Sequence, residues 1–406
     1  MISIQGGMAK NMTLTLLLDL DDTLLDTNLE AFVPAYFQAL AKHMASRVSP
    51  DVMLPALISG RRLINESEDF THTLEEVFDA EFYPRLGVSK DQLLEVIDEF
   101  YDEVFPTLGK LTSPRADAAP FIDWAFQQGY RIAIATDPLL PRKATYHRVR
   151  WAGFDPERFE LVSTFEHFHF SKTHPAYYAE VLGHMGWPDG PVLMVGNDME
   201  RDIIPAQRLG LATYHIDDAP ASKSGYEAGY HRNLADLRPW LESTDLSTLE
   251  PNFKSPLAII SILSATPAIL QSLSSTLSLA DWAHEPTPND WALNEIVYHL
   301  RDTEREIHQD QIKLFEQPDP FIPRPDTSVW AKQRKYINGS GPDALREFAS
   351  ARLETISLLK NIQADGWSRN ARHAIFGPTN FMEVVGFVAD HDRMHIQQAW
   401  KTLNNV

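Results

Sequence analysis

From Thr13 to Leu18 the chain is short, apolar and strand-like, and it ends abruptly in acid at Asp19, Asp21 and Asp22 (LLLDLDDT). Such a run reads as a buried strand. Others follow it: Arg131 to Thr136 (RIAIAT), Glu160 to Thr164, Pro191 to Val195 (PVLMV), and a last one at Leu211 to Ile216. Between them lie helical patterns, among them Phe121 to Gln128, stopped by Gly129, and a helix ending near Gly210. Strands alternating with helices predict a parallel sheet with helices on both faces. The segment Thr27 to Leu111 is helical and acidic-aromatic in character, and too long for a simple crossover, so it is expected to form a separate cap.

The pattern changes after Ser243. Ser243 to Pro256 (STDLSTLEPNFKSP) has no periodicity and reads as a linker. Beyond it the spacing is helical. Leu257, Ile260, Leu263, Leu270, Leu273 and Leu277 predict an amphipathic first helix, and Thr287-Pro288-Asn289-Asp290 resembles a helix start. Further helices are expected over Asp343 to Leu359 and Asn380 to Thr402, the latter opened by Asn380 with Glu383 three residues on. The simplest assembly is an all-α four-helix bundle. A length of 406 residues suits two or three domains. The boundaries expected are 1–243 for the α/β part (core 1–26 and 112–243, cap about 27–111), 244–255 for the linker and 256–406 for the bundle.

Charge and composition exclude several functions. Lys and Arg number 36 against 56 Asp and Glu, a formal net charge of -20, which argues against grip on nucleic acid or an anionic membrane. The absence of cysteine removes disulfides, zinc-thiolate sites and thiol nucleophiles, and fits a reducing compartment. The first apolar run is too short and too soon acidic for a secretory signal, and no stretch of about twenty apolar residues is seen, so no membrane span is expected. Met1, Met8 and Met12 leave the initiation site open. A cytoplasmic protein is the expectation.

The acidic cluster carries the chemistry. Asp19, Asp21 and Thr23 directly follow a buried strand, where open parallel sheets bind ligands. Carboxylates so close repel unless a cation lies among them. An ionised Asp can attack phosphorus, and a second can protonate the leaving oxygen and then activate water. A solvated turn is the bland alternative for an isolated DxDxT. Here, however, Thr136 ends the second strand with a hydroxyl suited to a phosphoryl oxygen. Lys172 (SKTHPAYY) can neutralise charge, and PVLMV runs into Gly196-Asn197-Asp198-Met199-Glu200-Arg201-Asp202, a source of magnesium-ligand oxygens.

With these four elements in this order, the first ~240 residues resemble a haloacid-dehalogenase-superfamily hydrolase with a helical cap, an α/β Rossmann-like parallel-sheet fold. The resemblance implies Asp19 as nucleophile, Asp21 as general acid/base, Thr136 and Lys172 as the second- and third-motif residues, and Mg2+ as cofactor with Asp19 and Asp21 among its ligands. It also implies phosphatase rather than dehalogenase chemistry, because a halide leaving group needs no acid. The fourth motif departs from the family pattern: either Asn197 or Asp198 ligates magnesium, with Asp198 preferred and Asp202 binding through water or pairing with Lys172. The substrate implied is a small phosphorylated metabolite. His167, His169, His174 and His184 are irregularly spaced and read as surface histidines. Arg61 and Arg62 in the cap could meet a substrate anion, or form an exposed helical pair.

In the helical part, His391 and His395 (HDRMH) lie four apart and continue the apolar stripe of Val384 and Val388, while His299 lies between Ile296 and Leu300. Imidazoles turned into a core need partners, and one divalent metal supplies all three. Carbonyl-bonded buried histidines are the alternative. WALNEIVYHLRDTE (ending at Glu304), FGPTN (Phe376 to Asn380) and HDRMH resemble the DinB-like helical bundles. That resemblance implies His299, His391 and His395 as ligands of a divalent transition metal such as zinc, nickel or iron, with open positions for water or substrate. Asp302, Asp390 and Asp392 could orient these ligands, or be exposed charges. Trp282, Trp291 and Trp330 are expected to pack the core. The bundle is then a metal-dependent, thiol-using transferase, or a non-catalytic regulatory or partner module.

Overall fold

The computed structural model describes residues 13–217, 230–288 and 290–404. Met1, Met8, Met12 and Asn289 lie outside the described residues. In chain order come β1 (Thr15–Leu18) and β2 (Leu25–Thr27), then the helices α1 (Leu29–Met44), α2 (Pro50–Glu66), α3 (Leu74–Leu86) and α4 (Lys90–Glu99). They are followed by β3 (Thr112–Pro114), α5 (Ala118–Gln127), β4 (Arg131–Ile134), α6 (Arg142–Trp151), β5 (Leu161–Val162) and α7 (Pro175–His184). Then come β6 (Val192–Gly196), α8 (Ile204–Leu209), β7 (Ala212–Ile216), β8 (Tyr230–Arg232) and α9 (Leu237–Ser243).

The main sheet has the order β5-β4-β1-β6-β7-β8, and every pairing in it is parallel. β1 is central, with Leu16 paired to Ile132 on one side and Leu193 on the other. Its alternation serves two layers: Leu16 and Leu18 join the core beneath α5, and Leu17 joins the core that includes α7 and α8. The expected last strand is followed by another, since β8 extends the edge beyond β7. β2 and β3 form an antiparallel ribbon through which the chain enters and leaves the cap. The cap has its own aromatic core, in which Phe32, Tyr36, Phe100 and Phe105 interlock.

The C-terminal part holds α10 (Pro256–Ser274), α11 (Leu279–Trp282), α12 (Leu293–Thr303), α13 (Gln309–Leu314), α14 (Trp330–Arg334), α15 (Gly341–Lys360) and α16 (Phe381–Asn404). A π turn over Glu304–His308 joins α12 to α13, so that four long helical rods form the bundle. A small sheet, β9 (Phe321–Ile322), β10 (Asn370–His373) and β11 (Gly377–Asn380), adds to the helical expectation. Asn380 and Glu383 cap α16 reciprocally, at 3.0 and 3.1 Å. The helix expected at Thr287 starts later, at Leu293; Thr287 and Asp290 instead close a turn.

Two sequence expectations fail at α10. Its 18-residue apolar window reaches a mean hydropathy of 1.6, long and apolar enough to cross a membrane, yet 72% of it is buried inside the protein. Nor is it amphipathic in the expected sense: Leu257 is 43% exposed, while Ala258, Ile259, Ile262, Ala265 and Ala268 are buried. The reason is that α10 is covered from two sides, by α15 and α16 of the bundle and by α7 of the α/β part. Its hydroxyls fold back on their own helix, as Ser261 to the Leu257 carbonyl at 2.7 Å and Thr266 to that of Ile262 at 2.9 Å.

The same contact buries α7. Trp400 donates to the His184 carbonyl at 3.1 Å, Gln397 to that of Trp187 at 2.7 Å, and Ser272 to that of His167. The histidines read as surface groups are therefore covered. His169 is fully buried against the equally buried Glu180, 2.7 Å from its Nδ1, and burial pushes His184 down to about 3. His167 and His174 are half-buried. The connecting segment is also laid down: Leu249 is buried and the Asn252 amide donates to the Gly210 carbonyl at 2.8 Å.

Gly183 marks how closely α7 meets α10, because a Cβ there would overlap Ile269 Cδ1 and stand 2.7 Å from its Cγ1. Ile269 is fully buried and has nowhere to turn. Alanine gains at most about 1 kcal/mol of helix propensity over glycine, whereas overpacking costs about 1–3 kcal/mol. Gly183→Ala is expected to lower the urea midpoint; a midpoint equal to wild type would show that the contact yields.

Candidate active site and candidate metal centre

The C-terminal ends of β1, β4 and β6 lie side by side, which brings Asp19, Thr136 and Asn197 to one edge of the sheet. Together with Asp21, Lys172, Asp198 and Asp202 they line one cavity of about 240 Å³, bordered on the cap side by Tyr36 and Arg61. Lys172 is buried and donates to Asp19 Oδ1 at 2.6 Å while pairing with Asp202. Burial disfavours its ammonium, but the two carboxylates outweigh this and hold its pKa above the ordinary lysine value. Asp202 is pushed up to about 7 by burial and by Asp19, against the pull of Lys172. Gly196 permits this approach, because a Cβ there would overlap the Asp202 carboxylate.

The surroundings fix each group. The Thr136 carbonyl accepts from Ser163 Oγ at 2.6 Å and Tyr177 at 2.8 Å, which anchors the strand end. Asp21 accepts from Thr27 Oγ1 at 2.8 Å and pairs with the buried Arg148. Burial pushes Arg148 down to about 10. Sequence reasoning missed this arginine; the signal was its place on the apolar face of α6, beside the buried Ala144, Thr145 and Val149. Of the cap pair, Arg61 lines the cavity and Arg62 faces solvent near Glu66.

The preference for Asp198 as magnesium ligand meets a different geometry. Its Oδ1 accepts the Glu200 and Arg201 amides at 2.8 and 3.1 Å, capping the turn Met199–Ile203. Asn197 instead directs its side-chain oxygen toward the loop after β1, where Thr23 donates to it at 3.3 Å. Asp202 pairs with Lys172, as one of the two expected alternatives had it.

In the bundle, the ligand atoms of His299, His391 and His395 lie within 4.8 Å of one another. The Nε2 atoms of His299 and His391 are 3.0 Å apart, and the buried Nδ1 atoms of both have no hydrogen-bond partner. His395 Nδ1 lies 2.9 Å from Gln398 Oε1. Burial pushes His299 down to about 3 and lowers His391 and His395 as well. A cavity of about 460 Å³ opens onto the cluster. Trp291, expected in the core, lines it, stacked parallel on His395 at 5.9 Å. Trp282 is buried, and Trp330 lies under the Arg334 guanidinium.

The three aspartates considered as orienting groups are engaged elsewhere. Asp302 bonds Arg301, Arg334 and Tyr336, Asp390 bonds Arg393, and Asp392 bonds Arg352. Behind the histidines runs a buried ionic chain that the sequence did not reveal. Arg352, fully buried, donates to Glu304 at 2.9 and 3.0 Å, to Asp392 at 2.5 Å and to the Leu263 carbonyl at 2.8 Å. Glu304 in turn holds His308 Nδ1 at 3.2 Å, and the His308 ring packs 5.3 Å from that of His391. Burial works against the Glu304 charge, yet Arg352 and His308 hold its pKa below the ordinary carboxylate value. The π turn Glu304–His308 supplies both members of that contact.

Removing Arg352 leaves two buried carboxylates without a counter-charge. Arg352→Met is expected to cost about 3–5 kcal/mol, measured by chemical denaturation, and adding Glu304→Gln and Asp392→Asn should recover most of the loss. A single variant as stable as wild type would show that the chain contributes nothing to stability.

Solved structures with similar coordinates fall into two groups. An HAD phosphatase from Thermococcus onnurineus is 18% identical over 56% of this chain and 97% of its own, with a TM-score of 0.39. A 2-haloacid dehalogenase from Pseudomonas syringae is 21% identical over 57% and 98%, with a TM-score of 0.42. YfiT from Bacillus subtilis, a four-helix bundle, is 14% identical over 48% and 95%, with a TM-score of 0.33. No curated protein matches the chain. Family models match both parts: residues 13–210 match that of the haloacid dehalogenase-like hydrolases, and residues 262–399 match that of the DinB superfamily.

Proposed function

We propose that the α/β part is a magnesium-dependent phosphohydrolase acting on a small phosphomonoester through an aspartyl-phosphate. The observation that carries this reading is the buried Lys172 ammonium shared by Asp19 and Asp202 in one cavity with Thr136 and Asp21. Lys172 occupies Asp19 Oδ1 and leaves the other oxygen to attack phosphorus. Asp21, paired with Arg148 when ionised, must first take up a proton; as the bond from phosphorus to the leaving oxygen breaks, it gives that proton to the leaving oxygen and returns to the carboxylate. Asp21 then takes a proton from water, whose oxygen displaces Asp19 and releases inorganic phosphate. Thr136 and Lys172 hold phosphoryl oxygens, and the cap excludes bulk water.

The residues fit a hard dication. Two buried carboxylates share one lysine, a net negative site, and Asn197 adds a neutral oxygen on the same edge. Asp19, Asn197 and Asp202 would hold magnesium, which when bound supplies positive charge to the phosphoryl oxygens. Purified protein is expected to release phosphate from small phosphomonoesters with magnesium and not with EDTA. Asp19→Asn should lower kcat by about a thousandfold or more. Equal rates in wild type and variant would overturn the assignment.

A second reading concerns the bundle, because three imidazoles converge at the floor of a separate cavity. The facing Nε2 atoms of His299 and His391, 3.0 Å apart, suit one ion better than two protons. His299, His391 and His395 would hold a divalent transition metal such as zinc, nickel or iron, leaving positions open toward the cavity. The full-length protein is expected to carry about one such ion per chain by elemental analysis, and His391→Ala to carry little. Equal, near-zero metal in both would remove the site.

A further inference from the structure

The phosphoryl-binding cavity does not end at the cap. A second cavity of about 300 Å³ lies between the cap helices and the loop after β4, and Tyr36, Arg61, Leu139 and Leu140 line both. Beyond this shared neck Phe37, Leu40, Leu57, Ile64, Phe78 and Phe82 form an apolar wall, and the charged groups of the lining are Glu75, Asp79, Lys90, Asp98, Arg142, Lys143 and Glu166. Most of the polar groups around it have partners, the exceptions being the buried Glu166 Oε2, whose other oxygen accepts from the Arg142 amide at 2.8 Å, and Arg61. The Tyr36 and Tyr101 hydroxyls bond each other at 2.8 Å. Lys90 is matched by Glu75 and Asp79, both at 2.7 Å, and Lys143 by Asp98 and Asp102 at 3.1 and 2.9 Å. Among the described residues Arg61 has no carboxylate within ion-pair distance, and it stands at the neck, where the phosphoryl group and the rest of the ester would meet.

The geometry points to a phosphomonoester whose leaving group is apolar: an uncharged alkyl or aryl alcohol, seated in the cap cavity, with Arg61 on the phosphoryl side. This inference rests on the phosphohydrolase reading above and narrows it. A polyhydroxylated leaving group finds few free hydrogen-bond partners on these walls and would be desolvated at a cost. A second phosphate would have to pass Arg61 and compete with carboxylates for Lys90 and Lys143, which Glu75, Asp79, Asp98 and Asp102 already match. An alkyl chain loses only water contact, which favours it.

The test compares n-hexyl phosphate with glucose 6-phosphate, both alkyl esters with the same phosphoryl group, on the full-length protein with magnesium. kcat/KM is expected to favour the hexyl ester by about tenfold or more. Phe37→Asp, on the wall, and Leu94→Asp, at a rim position 49% exposed and tolerant of charge, should each pull that ratio toward unity. A preference for the sugar ester, no preference at all, or a ratio untouched by both substitutions would overturn the inference while leaving an Asp19-dependent phosphohydrolase standing. Hydrolysis of neither ester, nor of a broader phosphomonoester panel, by wild type or by Asp19→Asn would remove the phosphohydrolase reading and the inference together.

Discussion

A single ammonium group holds the α/β site together. Lys172 has two carboxylates against it and almost no water, an arrangement stable only because charge of both signs is buried at once. Its position comes from elsewhere. Lys172 precedes α7, and α7 is fixed between the sheet and α10, so this lysine is aimed by a helix that rests on the neighbouring bundle. The two families in this chain thus meet at the element that sets the site.

The strand ends were legible because a buried strand leaves an unmistakable run, and Asp19, Asp21 and Thr136 stand where those runs stop, while Lys172 stands just ahead of α7. The i, i+4 histidines were legible for a similar reason, since a helix face is encoded in spacing. What escaped were features decided by a second surface. The histidines around α7 look exposed until the cap, α7 itself and the bundle are packed round them, and α10 looks one-sided until both of its neighbours are known. Arg148 and Arg352 are charges on apolar faces, and their carboxylate partners lie far away in sequence, Asp21 127 residues from the one and Asp392 40 from the other. Asp198 has a local competitor that its spacing does not show, the free amides of the turn that follows it, which hold its Oδ1.

The bundle solves the problem of polar groups in a core differently from the sheet. There the acids cluster at an open edge; here Glu304, Arg352 and Asp392 are closed off entirely, each oxygen and nitrogen matched to a partner. Such a chain contributes little to stability relative to apolar packing, but it fixes geometry. It ties α12, α15, α16 and, through the Leu263 carbonyl, α10 to a common reference behind His308 and His391.

One apolar core runs without a break from Leu17 and Tyr177 through Ile262 and Ile269 to Ile396. During synthesis, therefore, the sheet cannot finish packing when its own last strand leaves the ribosome. The face of α7 waits, apolar and uncovered, until α10 has been made and released from the exit tunnel, and α10 in turn waits for α16 at the end of the chain. In that interval the nascent protein exposes this apolar face, and a chaperone that shields it would matter more here than for two independently folding neighbours.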